Sequence, residues 1–182
     1  MSIDNHFSAM EEKQMEKGRQ SLEQEIVQLM TEHKLTLSAA ESCTGGMLSA
    51  KLINVPGASA VYEAGFVTYA NKAKHKLIGV KKKTLKEYGA VSKETAKEMV
   101  KGTLKATGAD YAVAITGIAG PGGGTKEKPV GLVYIGCGRK NRIVIKQYQF
   151  SGDRTQIRES SVENALHQLW EVLVEDINQK DR

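Results

Sequence analysis

Ser42, Cys43 and Thr44 follow one another directly, with Gly45 and Gly46 behind them. Three side chains able to attack or to hydrogen-bond a substrate therefore stand beside two residues that let a ligand come close to the backbone. The run from Leu35 to Ala40 alternates enough to read as a buried strand, and Met47 to Ile53 repeats its apolar residues at helical spacing. At such a strand-turn-helix junction the first helical N–H groups have no intrahelical partner and carry the positive end of the helix dipole. They suit a phosphate, a carboxylate or a developing oxyanion. A second reading stays open, in which Ser42 or Thr44 caps the helix and the glycines only turn the chain.

Two further groups could complete a site. The apolar run Ala58 to Tyr69 reads as a strand, Asn71 stands where an N-cap would, and Lys72 to Ile78 reads as a helix. Lys74 in its first turn is disfavoured as a cation by the dipole and by Lys72, His75 and Lys76, and burial adds to this. A lysine held neutral can take the proton of a serine, which is otherwise a poor nucleophile. An ordinary surface lysine is the competing reading. The third group follows the apolar strand Tyr111 to Ile115: Thr116 to Thr125 contains Gly117, Gly120 and three consecutive glycines. That many glycines cost folding entropy, which makes sense where backbone meets a ligand.

The elements that must position these groups follow an α/β order. A helix is predicted over Arg19–His33, a short one over Thr84–Tyr88, and a longer one over Ser92–Thr107 with Ser92 as its cap. Val130–Gly138 and Arg142–Phe150 read as a hairpin turning at Arg139-Lys140-Asn141, and Asp153 caps a long final helix. The expectation is a single three-layer α/β/α domain with a mixed β-sheet over residues 19–178. Residues 1–18 are expected to be a polar tail or a loosely docked helix.

The chain has 182 residues, 40% hydrophobic and 26% charged, with a formal charge of +5. No apolar run approaches the roughly 20 residues of a membrane span, and the polar N-terminus lacks the apolar core of a secretory signal. A cytoplasmic protein is expected. Lys72 to Lys76, Lys81 to Lys83 and Lys86 carry much of the excess charge without interleaved aromatics, so nucleic acid is not the expected partner. Cys43 and Cys137 have no metal-ligand spacing. There is no Gly-Lys-Ser/Thr phosphate loop, Gly-x-Ser-x-Gly elbow, Ser-x-x-Lys pair or His-Glu-x-x-His, which counts against P-loop, α/β-hydrolase and zinc chemistry.

Six segments, Ala40-Glu-Ser-Cys-Thr-Gly-Gly46, Gly65-Phe-Val-Thr-Tyr-Ala-Asn-Lys-Ala-Lys74, Gly89-Ala-Val-Ser92, Ile115-Thr-Gly-Ile-Ala-Gly-Pro121, Lys128-Pro-Val-Gly-Leu-Val-Tyr134 and Phe150-Ser-Gly-Asp-Arg154, together resemble the CinA C-terminal domain family. That family includes stand-alone nicotinamide-nucleotide amidases. The resemblance implies hydrolysis of the carboxamide of nicotinamide mononucleotide to nicotinic acid mononucleotide and ammonia, in pyridine nucleotide salvage, with no metal or cofactor. Carried onto this chain, Ser42 is the nucleophile and Lys74 or Tyr69 the base. Cys43, Thr44, Gly45, Gly46, Asn71, Thr116, Gly117 and Gly120 are expected to line the substrate. Cys43 is a rival nucleophile because a thiolate is intrinsically more reactive.

Many members carry an N-terminal domain resembling molybdopterin-binding proteins, which is not present here, so no pyrophosphatase function is expected. Where many relatives have an acidic residue after the proline of the second glycine loop, this chain has Gly122. A non-catalytic nucleotide-binding regulatory module is the alternative, and it would be marked by loss of Ser42 or Lys74; both are present. A small-molecule nucleotide is the expected ligand, with no membrane partner. Apolar positions on the end helices leave room for a homodimer.

Overall fold

The computed structural model describes residues 20–180, so the tail expected over residues 1–18 lies outside the described residues. Helix α1 (Leu22–Glu32) opens the domain, followed by β1 (Leu37–Glu41), α2 (Met47–Ile53), β2 (Tyr62–Val67), α3 (Asn71–Ile78), α4 (Lys82–Glu87) and α5 (Lys93–Thr107). Strands β3 (Tyr111–Gly117), β4 (Leu132–Arg139) and β5 (Arg142–Gln149) and the long helix α6 (Arg154–Lys180) complete it. The strands form one sheet in the order β2-β1-β3-β4-β5. Strand β1 runs parallel to both β2 and β3, while β4 is antiparallel to β3 and to β5. This is the expected α/β architecture with a mixed sheet. No helix among the described residues is long and apolar enough to cross a membrane.

Strand alternation divides the core into two. Leu37, Ala39, Val113 and Ile115 face the layer made by α1, α2 and α6. Ala40, Ala112 and Ala114 face the other layer, where Ile78, Met99 and Val100 lie. Side chains one residue apart on a strand point to opposite faces, so a continuously apolar strand serves two layers. The connection from β1 to β2 uses α2 on one face, and that from β2 to β3 uses α3, α4 and α5 on the other. The chain therefore leaves the carboxyl ends of β1 and β3 in opposite directions, the arrangement that opens a crevice between neighbouring parallel strands.

Three local readings change. Ala58–Ala60 forms a single 3-10 turn after Gly57, whose φ of 86° only glycine adopts readily, and the strand begins at Tyr62. Asn71 is the first helical residue of α3 rather than its cap; Ala70 holds the extended cap position and offers no side-chain acceptor. Arg139 pairs with Arg142, so the hairpin turns on Lys140 and Asn141 alone. The caps expected at Ser92 and Asp153 form. Ser92 Oγ accepts from the Thr95 N–H at 3.1 Å, and Asp153 Oδ1 accepts from the Gln156 N–H at 2.9 Å.

Helix α5 lies so close to the end of α3 that a Cβ at Gly102 would stand 1.6 Å from the Ile78 carbonyl oxygen. That oxygen is backbone and cannot swing aside, so glycine at 102 sets how α3 docks. Gly102→Ala should lower stability by about 2–3 kcal/mol through overpacking, measured by urea unfolding. An unchanged midpoint would mean that α3 and α5 separate without loss.

Candidate active site

Ser42 is the first residue beyond β1. Its N–H donates to the Ile115 carbonyl on β3 at 2.9 Å, and the Thr68 N–H donates to the Glu41 carbonyl at 2.7 Å, so β3 and the exit of β2 grip the turn from both sides. The alternation of β1 continues through this point. Glu41 turns toward α2 and Ser42 toward α3.

Glu41 is fully buried, and its carboxylate caps α2 from within the strand. Oε2 accepts from the N–H groups of Gly46 and Leu48 at 3.1 and 3.0 Å, and Oε1 accepts from the N–H and the hydroxyl of Ser49 at 2.9 and 2.6 Å. The Tyr62 hydroxyl in turn donates to Ser49 Oγ at 2.6 Å. The helix start expected to receive a substrate anion is thus already occupied by the protein's own carboxylate, which is attractive there for the same electrostatic reason.

On the other face Lys74 reaches back from α3 with no exposure to solvent. Its Nζ lies 2.9 Å from Ser42 Oγ, 2.7 Å from the Thr68 carbonyl and 3.4 Å from the Tyr69 carbonyl. Burial lowers its pKa to about 8, with Cys43 acting weakly in the opposite sense. The expected contribution of nearby cations is not the cause, since Lys72 and Lys76 are exposed on the outer side of the helix. In the neutral amine two N–H groups can serve the two carbonyls, which leaves the lone pair directed at the Ser42 hydroxyl.

Tyr69 meets this pair through its main chain. Its ring is 64% exposed, and its hydroxyl faces Arg154 Nη2 at 3.4 Å rather than Ser42. Cys43 is buried, and desolvation pushes its thiol up to about 11, which disfavours the thiolate a cysteine nucleophile needs. The N–H groups of Cys43 and Thr44 donate to no other group among the described residues, whereas the Gly45 N–H returns to the Ser42 carbonyl at 3.2 Å. The Thr44 hydroxyl is buried without a partner among the described residues.

The second glycine loop adjoins the same end of the sheet, and its residues make structural contacts there. The Thr116 hydroxyl donates to the Ala90 carbonyl at 2.8 Å and so braces the Gly89–Ser92 turn. Gly117 belongs to β3; a Cβ there would meet Val133 Cγ2 at 2.6 Å, so strand packing excludes a side chain. Gly120 has φ of 75°, and its carbonyl accepts from Arg154 Nη1 at 2.7 Å. Asn71 is exposed in the first turn of α3, with no hydrogen bond to Ser42 or Lys74.

Two arginines one turn apart on α6 were missed from sequence. Arg158 Nε and Nη2 donate to the carbonyls of Cys43 and Thr44 at 3.0 and 2.9 Å, fixing the turn after Ser42 from outside. Arg154 ties Gly120 to the Tyr69 hydroxyl. Both donate to neutral oxygens, and among the described residues neither forms an ion pair with a carboxylate. Their i, i+4 spacing was the available signal.

The model of the CinA C-terminal domain matches residues 19–173. This chain belongs to the CinA C-terminal domain family. Putative competence-damage inducible proteins of Caldicellulosiruptor bescii and Clostridium novyi are 50% and 48% identical to it over 157 residues each, 86% of this chain. The chain spans 38% of the length of either relative. Among solved structures, a competence/damage inducible protein, CihA, from Agrobacterium tumefaciens is 44% identical with a TM-score of 0.81, over 83% of this chain and 93% of that one. A CinA superfamily protein from Escherichia coli is 36% identical with a TM-score of 0.78, over 81% of this chain and 86% of that one. The family assignment, the α/β fold and the sequence resemblance therefore agree.

Glu41→Ala should cost about 3 kcal/mol, because it leaves three N–H groups at the start of α2 without their charged acceptor. Urea unfolding checks this. A loss below about 0.5 kcal/mol would show that water replaces the carboxylate at no cost.

Proposed function

We propose that this chain is a serine-lysine amidohydrolase that hydrolyses the carboxamide of nicotinamide mononucleotide, giving nicotinic acid mononucleotide and ammonia. The observation that carries this reading is the 2.9 Å contact between Lys74 Nζ and Ser42 Oγ, made by an amine that burial holds near its neutral form. In the family that this chain resembles, the same two motif positions carry amide hydrolysis.

Neutral Lys74 takes the Ser42 proton as Oγ attacks the carboxamide carbon. The oxygen that gains charge faces the unspent N–H groups of Cys43 and Thr44; loss of one such donor typically costs about 10² to 10³ in rate. The lysine ammonium then returns its proton to the amide nitrogen, the C–N bond breaks and ammonia leaves an ester on Ser42. Lys74, neutral again, takes a proton from water. The resulting hydroxide attacks the ester, the acid leaves and Ser42 recovers its proton. Tyr69, which touches Lys74 only through its carbonyl, has no proton-transfer role in this scheme.

The substrate phosphate would lie against Arg154, whose guanidinium is exposed beside Tyr69 and has no carboxylate partner among the described residues. Gly122 bears on specificity. A Cβ there meets nothing within 4 Å, so the loop has room for the acidic side chain that many relatives carry.

Purified protein should release ammonia from nicotinamide mononucleotide in EDTA, and Ser42→Ala or Lys74→Met should reduce kcat by about 10³ or more. Turnover lost in both variants supports the scheme. No turnover by the folded parent would favour a nucleotide-binding module, which a ligand-induced melting shift would then detect. The base must be neutral to act, so kcat/KM should rise with pH through an ionisation near the Lys74 value of about 8 and level off above it. A profile flat from pH 6 to 10 would exclude lysine as the base. Cys43→Ser should keep activity within about fivefold, since its thiol is held in the unreactive form; loss as deep as that of Ser42→Ala would make Cys43 the nucleophile.

A further inference from the structure

The opposite end of the sheet holds a cleft of 730 Å³, well within the size range of small-molecule sites. Leu35 ahead of β1, Ala109 ahead of β3 and Leu104 on α5 give it an apolar wall. Lys101 and Lys105 from α5 and Arg139 and Lys140 from the β4 end give it four cations. One carboxylate lines it, that of Asp110, whose Oδ2 already accepts from the Thr36 N–H and hydroxyl at 2.8 and 3.0 Å.

Arg139 is held ready. Its Nε stands 2.9 Å from Asp176 Oδ2, an ion pair whose N–H is not aligned for a hydrogen bond. Asp176 is fully buried and is itself fixed by the Tyr111 hydroxyl at 2.9 Å and Arg142 Nη1 at 2.7 Å. The outer guanidinium nitrogens of Arg139 make no hydrogen bond to another described residue, and the side chain is 34% exposed. An arginine anchored from behind, with its outer fork unspent, suits bidentate recognition of a phosphate or carboxylate.

We propose that this cleft is a second ligand site, for a small phosphomonoester that carries a flat, weakly polar ring. The phosphate meets the Arg139 fork with Lys101 and Lys105 beside it, and the ring lies on Leu35 and Leu104. Leu35 and Ser42 flank β1 and are seven residues apart, about 23 Å at the rise of an extended chain, so one small ligand does not reach both ends. The two strands between the ends are shared: β1 runs from this cleft to Ser42, and β3 from Tyr111 to Thr116.

The test uses adenosine monophosphate, which has no carboxamide to hydrolyse, titrated into labelled protein at low salt and followed by 1H–15N NMR. Saturable shifts of the amides of Lys101 to Asp110 and Arg139 to Asn141 are expected. Lys101→Glu/Lys105→Glu changes two exposed side chains and should weaken these shifts about tenfold or more while the spectrum stays folded. Inorganic phosphate should cause the same shifts more weakly, because it lacks the ring. Shifts confined to residues 42–46 and 116–120, equal affinity in the double variant, or no saturation by millimolar nucleotide would each overturn the proposal. None of these outcomes depends on amidase activity.

Discussion

A lysine amine with no solvent around it is the constraint on which the rest of this site depends. Removing the ammonium from water penalises the charged form, and among the described residues Lys74 has no carboxylate paired with it to restore the balance. Its neighbours are a serine hydroxyl and two main-chain carbonyls, which accept hydrogen bonds but supply no negative charge. The amine therefore lies near neutrality at about pH 8, where it both takes and returns a proton readily. A group kept in that condition is a cost to the fold, and it is carried by α3, on whose end α5 docks closely at Gly102.

The second constraint is the strict alternation at the end of β1. Glu41 and Ser42 are adjacent, and the strand sends one to each face. The carboxylate closes the start of α2, and the hydroxyl meets the lysine on the other side. Glu41 takes the Gly46 N–H and the Ser42 carbonyl takes that of Gly45, so the backbone donors expected to bind substrate there are already spent, leaving Cys43 and Thr44 as free amides among the described residues. Arg158 holds the same turn through the carbonyls of those two residues, so the turn is fixed by a strand, a buried carboxylate and a distant helix together.

Much of the fold was legible because its signals are local. Apolar periodicity located the strands and helices, and Ser92 and Asp153 marked two helix starts. The pairing of Ser42 with Lys74 was legible as two hydroxyl- and lysine-bearing junctions at strand ends, and six separated motifs made it specific. What stayed hidden depends on long-range packing. Nothing near Glu41 in sequence says that its carboxylate folds forward onto α2, and Arg154 and Arg158 lie more than a hundred residues beyond the turn at Ser42. Tyr69 and Asn71 show the limit of reasoning from proximity in sequence. Their neighbourhood in sequence suggested shared work with Lys74, but a strand end and a helix start point neighbouring side chains in different directions, and only the Tyr69 carbonyl reaches the amine. Gly117, one of the glycines expected to line a ligand, is also kept free of a side chain by the packing of β4, a long-range contact that its sequence does not reveal.

The most direct test is the titration of the Lys74 side chain itself, followed by NMR of protein labelled at lysine. A midpoint near 8 is expected, and it should persist in Ser42→Ala, because burial rather than the serine sets it. A midpoint at or above the ordinary lysine value of about 10.4 would contradict the account, since Lys74 would then remain an ammonium and could not take the proton of Ser42.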